Sequence, residues 1–356
     1  GLSLLLVERG PRVKVRRLEN KLGIHGSPTC EIFFDDAPAQ LIGERQRGLI
    51  TYVMSLMNGA RIGIAAQGLG IGEAAYRVAR DYAHSRRQFD TAIEGFPAIR
   101  ELLVRMHVDL QAARALTYYA TFCVDREHGA LRKLHFGDAD AMDKDQKKAL
   151  RQQSRTLGRH NKLLTPLAKY YATEMCQRVA NDAISVMGGS GYMKDYPLER
   201  HWRDSRITTI YEGTTQLQVT AAVAGVVSGT AGNLLEDLLA KPTRLDAWPD
   251  ELQPLLEQIR QGQALLAEAV AYVKAASGST YRDLHARRLV DMATYLLIAA
   301  LFCDQATAKD AKKAVADYWL RWRLPEIRML HEQVCSGDTS AVEQFETLAG
   351  PVPVAE

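Results

Sequence analysis

A single carboxylate, Glu212, has neighbours that could make it a base. It lies between Tyr211 and Gly213, just ahead of an apolar run that is typical of a helix. A carboxylate held at a helix end inside an apolar pocket loses solvent, which raises its pKa and makes it a stronger base once ionised. The alternative is a solvated glutamate in the first turn of a helix, favoured by the helix dipole, with Thr214 or Thr215 as the helix cap. The residues alone leave both interpretations open.

Composition and charge exclude several classes of protein. The chain has 356 residues, 47% hydrophobic and 24% charged, as in proteins with an ordinary buried core. Its formal net charge of +3 is too small to indicate nucleic acid as a partner. Five scattered cysteines without a CxxC pair and nine unclustered histidines argue against a disulfide framework and a metal site. Apolar runs such as 296–303 are too short for a membrane span, so we expect a cytoplasmic protein.

Hydrophobic periodicity predicts a mainly α-helical fold. Short β-favouring runs separated by turn residues fill residues 1–44. From about Gly48 onward, apolar side chains recur every three or four residues, as on one face of a helix. Four long helical patterns with small residues on their faces indicate an antiparallel four-helix bundle. The predicted helices lie near residues 48–84, 97–128, 158–187 and 214–228, with three more near 250–276, 281–306 and 309–332.

These patterns divide the chain into three predicted parts. We interpret residues 1–44 as a remnant of a β-domain, residues 45–228 as the helical bundle, and residues 229–356 as an additional helical domain. A polar, charge-dense stretch at about 126–159 interrupts the bundle pattern, and we interpret it as a solvated or partly disordered loop. The glycines of 68–72 lie within a helical pattern, so close helix packing explains them better than a nucleotide-binding loop.

Three separated motifs carry a resemblance to a known family. Residues 82–89 are similar to an R-x-Q-F segment, residues 184–192 to an L-G-G-x-G-Y turn, and residues 211–216 to a Y-E-G-T motif. In this order and at these separations they resemble the C-terminal half of the acyl-CoA dehydrogenase family of flavoenzymes, over residues 1–228. Residues 229–356 resemble the extra helical domain of a longer bacterial subgroup, which includes a methylthiopropanoyl-CoA dehydrogenase branch.

The resemblance implies α,β-dehydrogenation of an acyl-CoA thioester with FAD as cofactor. The thioester acidifies the α-carbon, and Glu212, at the family's base position, would take the α-proton while the β-hydride passes to flavin N5. Tyr211 would wall the pocket against water, which is compatible with a packed aromatic ring. The resemblance implies substrate contacts for Tyr211, Gly213 and Arg61. Arg61 lies in a segment that aligns with the family's acyl-CoA site. The alternative for Arg61 is a residue of the helix surface.

The same resemblance implies a set of flavin-binding residues. Gly188 and Gly189 would let backbone amides approach the flavin diphosphate of a neighbouring subunit. Arg86 would meet that diphosphate across the subunit boundary. Thr214 and Gln216 match positions that contact flavin after the base. The alternatives are simple turn geometry for the glycines, a solvated charge for the arginine, and ordinary helix-start roles for the other two residues.

Partners follow from the family as well. For a complete member, the resemblance implies an electron-transfer flavoprotein as electron acceptor and a homodimer or homotetramer formed through the bundle. The family's N-terminal helical domain and the first part of its β-domain have no counterpart in these residues. Two other hypotheses therefore stay open: a truncated, flavin-free assembly module that supplies helical contacts to another chain, and an acyl-CoA oxidase that passes electrons to oxygen.

Overall fold

A computed structural model describes residues 1–136 and 142–353, apart from the side chains of residues 50, 54, 55 and 58. The protein is mainly α-helical, as predicted from the periodicity. Its contacts divide it into two compact units: unit 1 is Gly1–Thr117 with Ala168–Thr215, and unit 2 is Tyr118–Leu167 with Gln216–Glu356. The predicted domain boundaries at residues 45 and 229 stay predictions.

Four short strands precede the first long helix, two more follow it directly, and the later elements of the described chain are helices. The strands are β1 (Leu4–Leu6), β2 (Val13–Leu18), β3 (Cys30–Phe34), β4 (Gln40–Ile42), β5 (Arg87–Gln88) and β6 (Thr91–Ala92). The helices are α1 (Met54–Ser85), α2 (Pro97–His135), α3 (Lys144–Met187), α4 (Gly189–Tyr192), α5 (Leu198–Arg206), α6 (Thr215–Val227), α7 (Thr230–Ala240), α8 (Gln253–Ala275), α9 (Thr280–Ala306), α10 (Ala311–Cys335), α11 (Ser340–Glu343) and α12 (Phe345–Ala349).

The N-terminal strands form two antiparallel pairs. β1 pairs with β4, so that Leu4 lies opposite Ile42, and β2 pairs with β3, so that Val13 lies opposite Phe34. The second pair has a register shift near Val15, which is typical of a β-bulge. The sequence predicts β1 through its apolar run, and β2 and β3 through their β-branched and aromatic residues, but misses the three-residue strand β4.

The expectation of a solvated loop at 126–159 is wrong for most of that stretch. α2 continues to His135 and α3 begins at Lys144, while residues 137–141 lie outside the described part of the chain. The stretch is charged but also rich in Leu, Lys, Gln and Arg, which favour helices. Ala130 is only 4% exposed, so α2 is still covered on one side at that residue. High charge therefore marks the solvated face of two long helices here.

Small residues let the helices of unit 1 approach closely. A Cβ atom on Gly68 of α1 would lie 3.0 Å from the carbonyl oxygen of Ala172 in α3. One on Gly72 would lie 3.2 Å from a methyl of Leu110 in α2 and 3.3 Å from the sulfur of Met175 in α3. α1 therefore contacts both other helices through positions without a side chain, which confirms the helix-packing interpretation of these two glycines.

Unit 2 has its own core. Gly225 of α6 packs against Leu163 of α3, where an added Cβ would lie 3.0 Å from a leucine methyl. α8, α9 and α10 pack on one another around Trp319, which is fully buried. Arg323 of α10 is 6% exposed; its guanidinium lies 3.8 Å from the Trp322 ring centroid and donates to Glu326 at 2.7 Å. Paired in this way, a cation can lie among aromatic rings.

One helix of the described residues, α9, is long and apolar enough to cross a bilayer. Its most apolar 18-residue window has a mean hydropathy of 1.4. This apolar helix is longer than the run 296–303, which by its length is too short for a membrane span. Within the protein, however, 83% of that window is buried. Such burial is the pattern of a core helix, for which apolar composition on all sides is expected.

Candidate active site

The turn that carries Glu212 has an unusual backbone. It lies between a short helical turn, Ile207–Thr209, and the start of α6 at Thr215. Glu212 has φ 54° and Gly213 has φ 90°, so two successive residues occupy the left-handed region. Glycine adopts this conformation freely, whereas a residue with a Cβ pays about 1 kcal/mol. A glutamate in this region persists because the surrounding structure holds it there, as is common at functional sites.

Two side chains of α1 contact the turn. Arg61 Nε donates a long hydrogen bond of 3.4 Å to the backbone oxygen of Glu212. The hydroxyl of Tyr211 donates to the amide oxygen of Gln67. All four residues are partly exposed, so the turn lies neither in the closed core nor in open solvent. The structure thus brings together the predicted base and two of its predicted substrate-contact residues.

A buried lysine of α3 contacts the next residue of the turn. Lys169 is 0% exposed, and its Nζ donates a hydrogen bond of 2.6 Å to the Gly213 carbonyl. Burial first, and then the Arg61 charge, lower the pKa of Lys169, while the charges of Glu212 and Glu174 oppose the shift; together they place it at about 8. The site therefore includes a cation that loses its proton more readily than an ordinary lysine.

Sequence reasoning missed Lys169 and Gln67 as site residues. The signal for Lys169 was present: it lies in a run of α3 whose other residues, from Leu163 to Tyr171, are mainly apolar. A lysine on the buried face of a helix is uncommon and marks a position worth attention. Gln67 has no comparable signal, because a glutamine fits the exposed edge of almost any helix.

The residues that follow the turn start α6. Thr214 and Gln216, both predicted to contact flavin, are exposed there. Between them, Thr215 is the first residue of α6, and its hydroxyl donates to Glu174 Oε1 of α3 at 2.6 Å. The side chain of Thr215 therefore ties the helix start to α3 through this bond.

The glycine turn after α3 presents bare backbone. Gly188 has φ 57°, which favours glycine, and a Cβ on Gly188 or Gly189 would meet no atom within 4 Å. Gly191 is different, because a Cβ there would lie 2.9 Å from the backbone oxygen of Ile184. The first two glycines leave an open surface on which a ligand could approach the main chain, and the third allows the turn to fold back on α3.

The end of α1 lies beside this glycine turn. The hydroxyl of Tyr82 is 3.4 Å from Ser190 Oγ, and Arg86, one turn further along, is exposed. The structure therefore places the predicted phosphate-binding arginine in the region of the open glycines. The base turn contacts α1 at Arg61 and Gln67, and the glycine turn contacts it at Tyr82. At 1.5 Å per residue, the 15 to 21 positions between these contacts correspond to about 22–32 Å along α1.

The described ranges 1–136 and 142–353 contain no grouping of three or more His, Cys, Asp or Glu side chains that could hold a metal ion. All five cysteines are free thiols, and burial raises the pKa of Cys176 to about 12, which disfavours its thiolate.

Long helices hold the Tyr-Glu-Gly turn and the glycine turn, which defines a helical domain with two glycine-containing turns, and two family models match it. The model described as "Acyl-CoA dehydrogenase, C-terminal domain" matches residues 47–144 and 137–226. The model described as "Acyl-CoA dehydrogenase C terminal" matches residues 228–338, which confirms the predicted extra helical domain. The chain belongs to the acyl-CoA dehydrogenase family.

Individual relatives agree with this assignment. An acyl-CoA dehydrogenase of Bacillus subtilis is 37% identical over 222 residues, which are 61% of this chain and 50% of that protein. The caffeyl-CoA reductase-Etf complex subunit CarC of Acetobacterium woodii is 31% identical over 222 residues, again 61% of this chain and 50% of that protein. The chain spans about half the length of the curated relatives it matches.

A solved structure extends the likeness to nearly the whole chain. ACDH-11 of Caenorhabditis elegans, in complex with C11-CoA, superposes with a TM-score of 0.69 at 25% identity, covering 95% of this chain and 54% of that one. The predicted fold class is confirmed: a helical bundle of the acyl-CoA dehydrogenase C-terminal type, preceded by short strands and followed by additional helices.

Proposed function

We propose that the protein to which these residues belong is a flavin-dependent acyl-CoA dehydrogenase in which Glu212 is the catalytic base. One observation carries the proposal: Glu212, with φ 54°, lies in a half-buried turn that Arg61 and the buried Lys169 contact. Arg61 donates to the Glu212 carbonyl and Lys169 to the Gly213 carbonyl. Ordinary helix starts do not need such a conformation. Family membership supplies the reaction that the turn suits.

The chemistry asks for a carboxylate that is fixed in place. The thioester carbonyl acidifies the α-carbon, so a positioned carboxylate can accept the α-proton as the C–H electron pair moves toward the β-carbon. A double bond forms as the β-carbon loses hydride, and Glu212 becomes a carboxylic acid. When bound, FAD supplies the acceptor for that hydride. Because the turn is already fixed by its contacts, little freedom is lost when substrate binds.

Neighbouring side chains suit the substrate end of this reaction. Arg61, beside the Glu212 backbone, offers a cationic donor to the polar part of the acyl-CoA. Tyr211 is half-buried with its hydroxyl bound to Gln67, which orients the ring as a wall against water. Gly213 adds no side chain to the space next to the base, so substrate can approach the turn closely.

The residues present fit a flavin diphosphate. Gly188 and Gly189 leave their backbone open, and the exposed guanidinium of Arg86 suits phosphate oxygens. Thr214 and Gln216, which follow Glu212 in the chain, are exposed, and there they would contact the flavin ring region. The separation of about 22–32 Å along α1 supports two different flavins as their partners: one near the base turn, and the flavin diphosphate of a neighbouring subunit near the glycine turn.

The proposal therefore includes an oligomer and an electron acceptor. A homodimer or homotetramer would bring the glycine turn of one subunit to the flavin of another. The name of the Acetobacterium woodii relative contains an Etf complex, which supports association of this protein with an electron-transfer flavoprotein. In the proposed dehydrogenation, that flavoprotein would accept the electrons. We propose a cytoplasmic location for it.

The test is reduction of bound flavin under anaerobic conditions. The protein, with its flavin, is mixed with acyl-CoA thioesters of increasing length, and flavin absorbance is followed. Glu212→Gln is expected to slow reduction at least a thousandfold, as for loss of a general base with a poor substitute. Glu101→Gln, on the exposed face of α2, is the matched control and is expected to behave as wild type. Reduction of the Glu212→Gln protein at the wild-type rate would refute the base assignment.

The same preparations separate the other two hypotheses. A wild-type protein that binds no flavin would favour the flavin-free assembly module. One hydrogen peroxide formed per turnover in air would favour the acyl-CoA oxidase. The dehydrogenase predicts stoichiometric flavin, little peroxide, and fast transfer of electrons to an electron-transfer flavoprotein.

A further inference from the structure

A fully buried lysine needs a physical reason. Lys169 is one of the largest side chains without exposed surface, and its ammonium has exchanged water for protein surroundings. Burial of a charge is costly unless hydrogen bonds and opposite charges compensate. An apolar residue at this position of α3 would avoid that cost. The reason for a lysine is therefore to be sought in what its Nζ contacts.

The contact of Lys169 is the carbonyl oxygen of Gly213, at 2.6 Å. A charge-assisted hydrogen bond of this length is about twice as strong as one between neutral groups. The carbonyl belongs to the residue after the base, and its direction is fixed by the left-handed conformations of Glu212 and Gly213. A donor that holds this oxygen thus opposes relaxation of the turn to an ordinary backbone conformation.

Charges around the lysine fit the same role. Arg61 disfavours its charged form, whereas Glu212 and Glu174 favour it. Its pKa of about 8 means that both the ammonium and the amine are populated at mildly basic pH, and both forms retain N–H donors. The hydrogen bond to the carbonyl can therefore persist while the proton count at Nζ changes.

We propose that Lys169 is a positioning residue for the base: by holding the Gly213 carbonyl, it fixes the left-handed turn and thereby the direction in which the Glu212 carboxylate points. Its effect on the turn follows from the contact itself, and its effect on catalysis rests on the proposed function. Lys169 acts through the backbone of the turn and has no direct part in proton transfer.

The first test measures the turn without any assay of activity. Hydrogen–deuterium exchange is compared at the amides of residues 211–216 in wild type, Lys169→Met, Lys169→Gln and Lys162→Met. Lys162 is an exposed lysine of the same helix and provides the matched control. Lys169→Met keeps a long, unbranched side chain but removes the hydrogen-bond donor, so exchange at the amides of 211–216 is expected to be at least tenfold faster. Lys169→Gln keeps a shorter donor and is expected to be about threefold faster, and Lys162→Met unchanged.

The second test separates positioning from a merely structural role. In the flavin-loaded protein, Lys169→Met is expected to lower kcat about 30-fold with KM within twofold of wild type, and Lys169→Gln to restore part of the rate. A slower proton-abstraction step also predicts a larger isotope effect with α-deuterated substrate. Faster exchange of the turn with an unchanged kcat would overturn the proposal and make Lys169 a structural residue only.

The possible failures can be told apart. If Lys169→Met loses its native circular dichroism, Lys169→Gln carries the test, and unchanged exchange at 211–216 in that variant overturns the proposal. Unchanged exchange in a folded Lys169→Met protein overturns it as well. If Glu212→Gln reduces flavin as wild type does, the proposed function fails, whereas the order of the exchange rates still decides whether Lys169 holds the turn.

Discussion

The hydroxyl of Tyr211 donates a hydrogen bond to Gln67, a residue of α1 that precedes it by 144 positions. The next residue in the chain, Glu212, accepts a bond from Arg61 of the same helix, and Gly213 accepts one from Lys169 of α3. Three successive residues are thus each hydrogen-bonded to a helix that lies far from them in the sequence. The conformation of the turn is a property of tertiary packing, which is why it can include a strained glutamate.

The bond between Tyr211 and Gln67 can be measured by a double-mutant cycle. Tyr211→Phe and Gln67→Leu each remove one partner, and the coupling free energy of unfolding is expected to be about 0.5–1.5 kcal/mol, since both groups are partly buried. Urea denaturation of the four proteins gives the value. Strict additivity of the two single changes would show that the hydrogen bond contributes nothing to stability.

Two glycines of α1 are expected to respond in opposite directions to alanine. Gly68 is in contact with the backbone of α3, where a Cβ would lie 3.0 Å from the Ala172 oxygen, so Gly68→Ala should destabilise by about 1–3 kcal/mol. Gly70, two residues away, is exposed, and a Cβ added there would meet no atom within 4 Å. Gly70→Ala should therefore stabilise the protein by about 0.5–1 kcal/mol. Thermal unfolding of the pair checks the prediction, which fails if both changes shift Tm in the same direction.

A buried aspartate is predicted to be a major contributor to the stability of unit 1. Asp109 is 3% exposed; it accepts a bond from the Tyr171 hydroxyl and two from Arg178, at 3.1 and 2.9 Å. Asp109→Ala leaves the buried Tyr171 hydroxyl without its acceptor and removes the ion pair with the partly exposed Arg178, so it is expected to cost about 2–4 kcal/mol in urea denaturation. Asp81→Ala, on the exposed face of α1, is expected to stay within 0.5 kcal/mol of wild type. Equal effects of the two changes would contradict the assignment.

Lys169 predicts a pH dependence of stability with a definite sign. Its folded pKa of about 8 lies below the ordinary lysine value of about 10.4, so between these values the unfolded chain binds a proton that the native protein has released. The free energy of unfolding of wild type, relative to Lys169→Met, is therefore expected to rise by about 1–2 kcal/mol from pH 7 to pH 10. A difference that stays constant or falls with pH would contradict the lowered pKa.

Much of the fold follows from local pattern. The predicted helices near 97–128, 158–187 and 281–306 agree with α2, α3 and α9 because apolar residues at three- and four-residue spacing fix both the element and its buried face. The charged stretch 126–159, which forms the end of α2 and the start of α3, was predicted as a loop for a physical reason. Composition reports how much polar surface a segment has, but a largely solvated helix can still be covered at single positions, as Ala130 is.

The site was predictable only in part. Glu212, Tyr211 and Arg61 could be singled out because motif and chemistry agree, and the structure brings them together. The positive φ of Glu212 and the contact of Lys169 with Gly213 could not be read from the chain. Both depend on how α1 and α3 lie against the turn, and residue types constrain such long-range geometry weakly.

The most direct test of the central claim is exchange of the substrate's α-proton with solvent. An acyl-CoA analogue that cannot lose a β-hydride is incubated in D2O with the flavin-loaded protein, and loss of the α-proton signal is followed by NMR. Wild type is expected to exchange it, Glu212→Asp to exchange it slowly, and Glu212→Gln to bind the analogue yet exchange it at least a thousandfold more slowly. Exchange at the wild-type rate in Glu212→Gln would show that another group takes the proton.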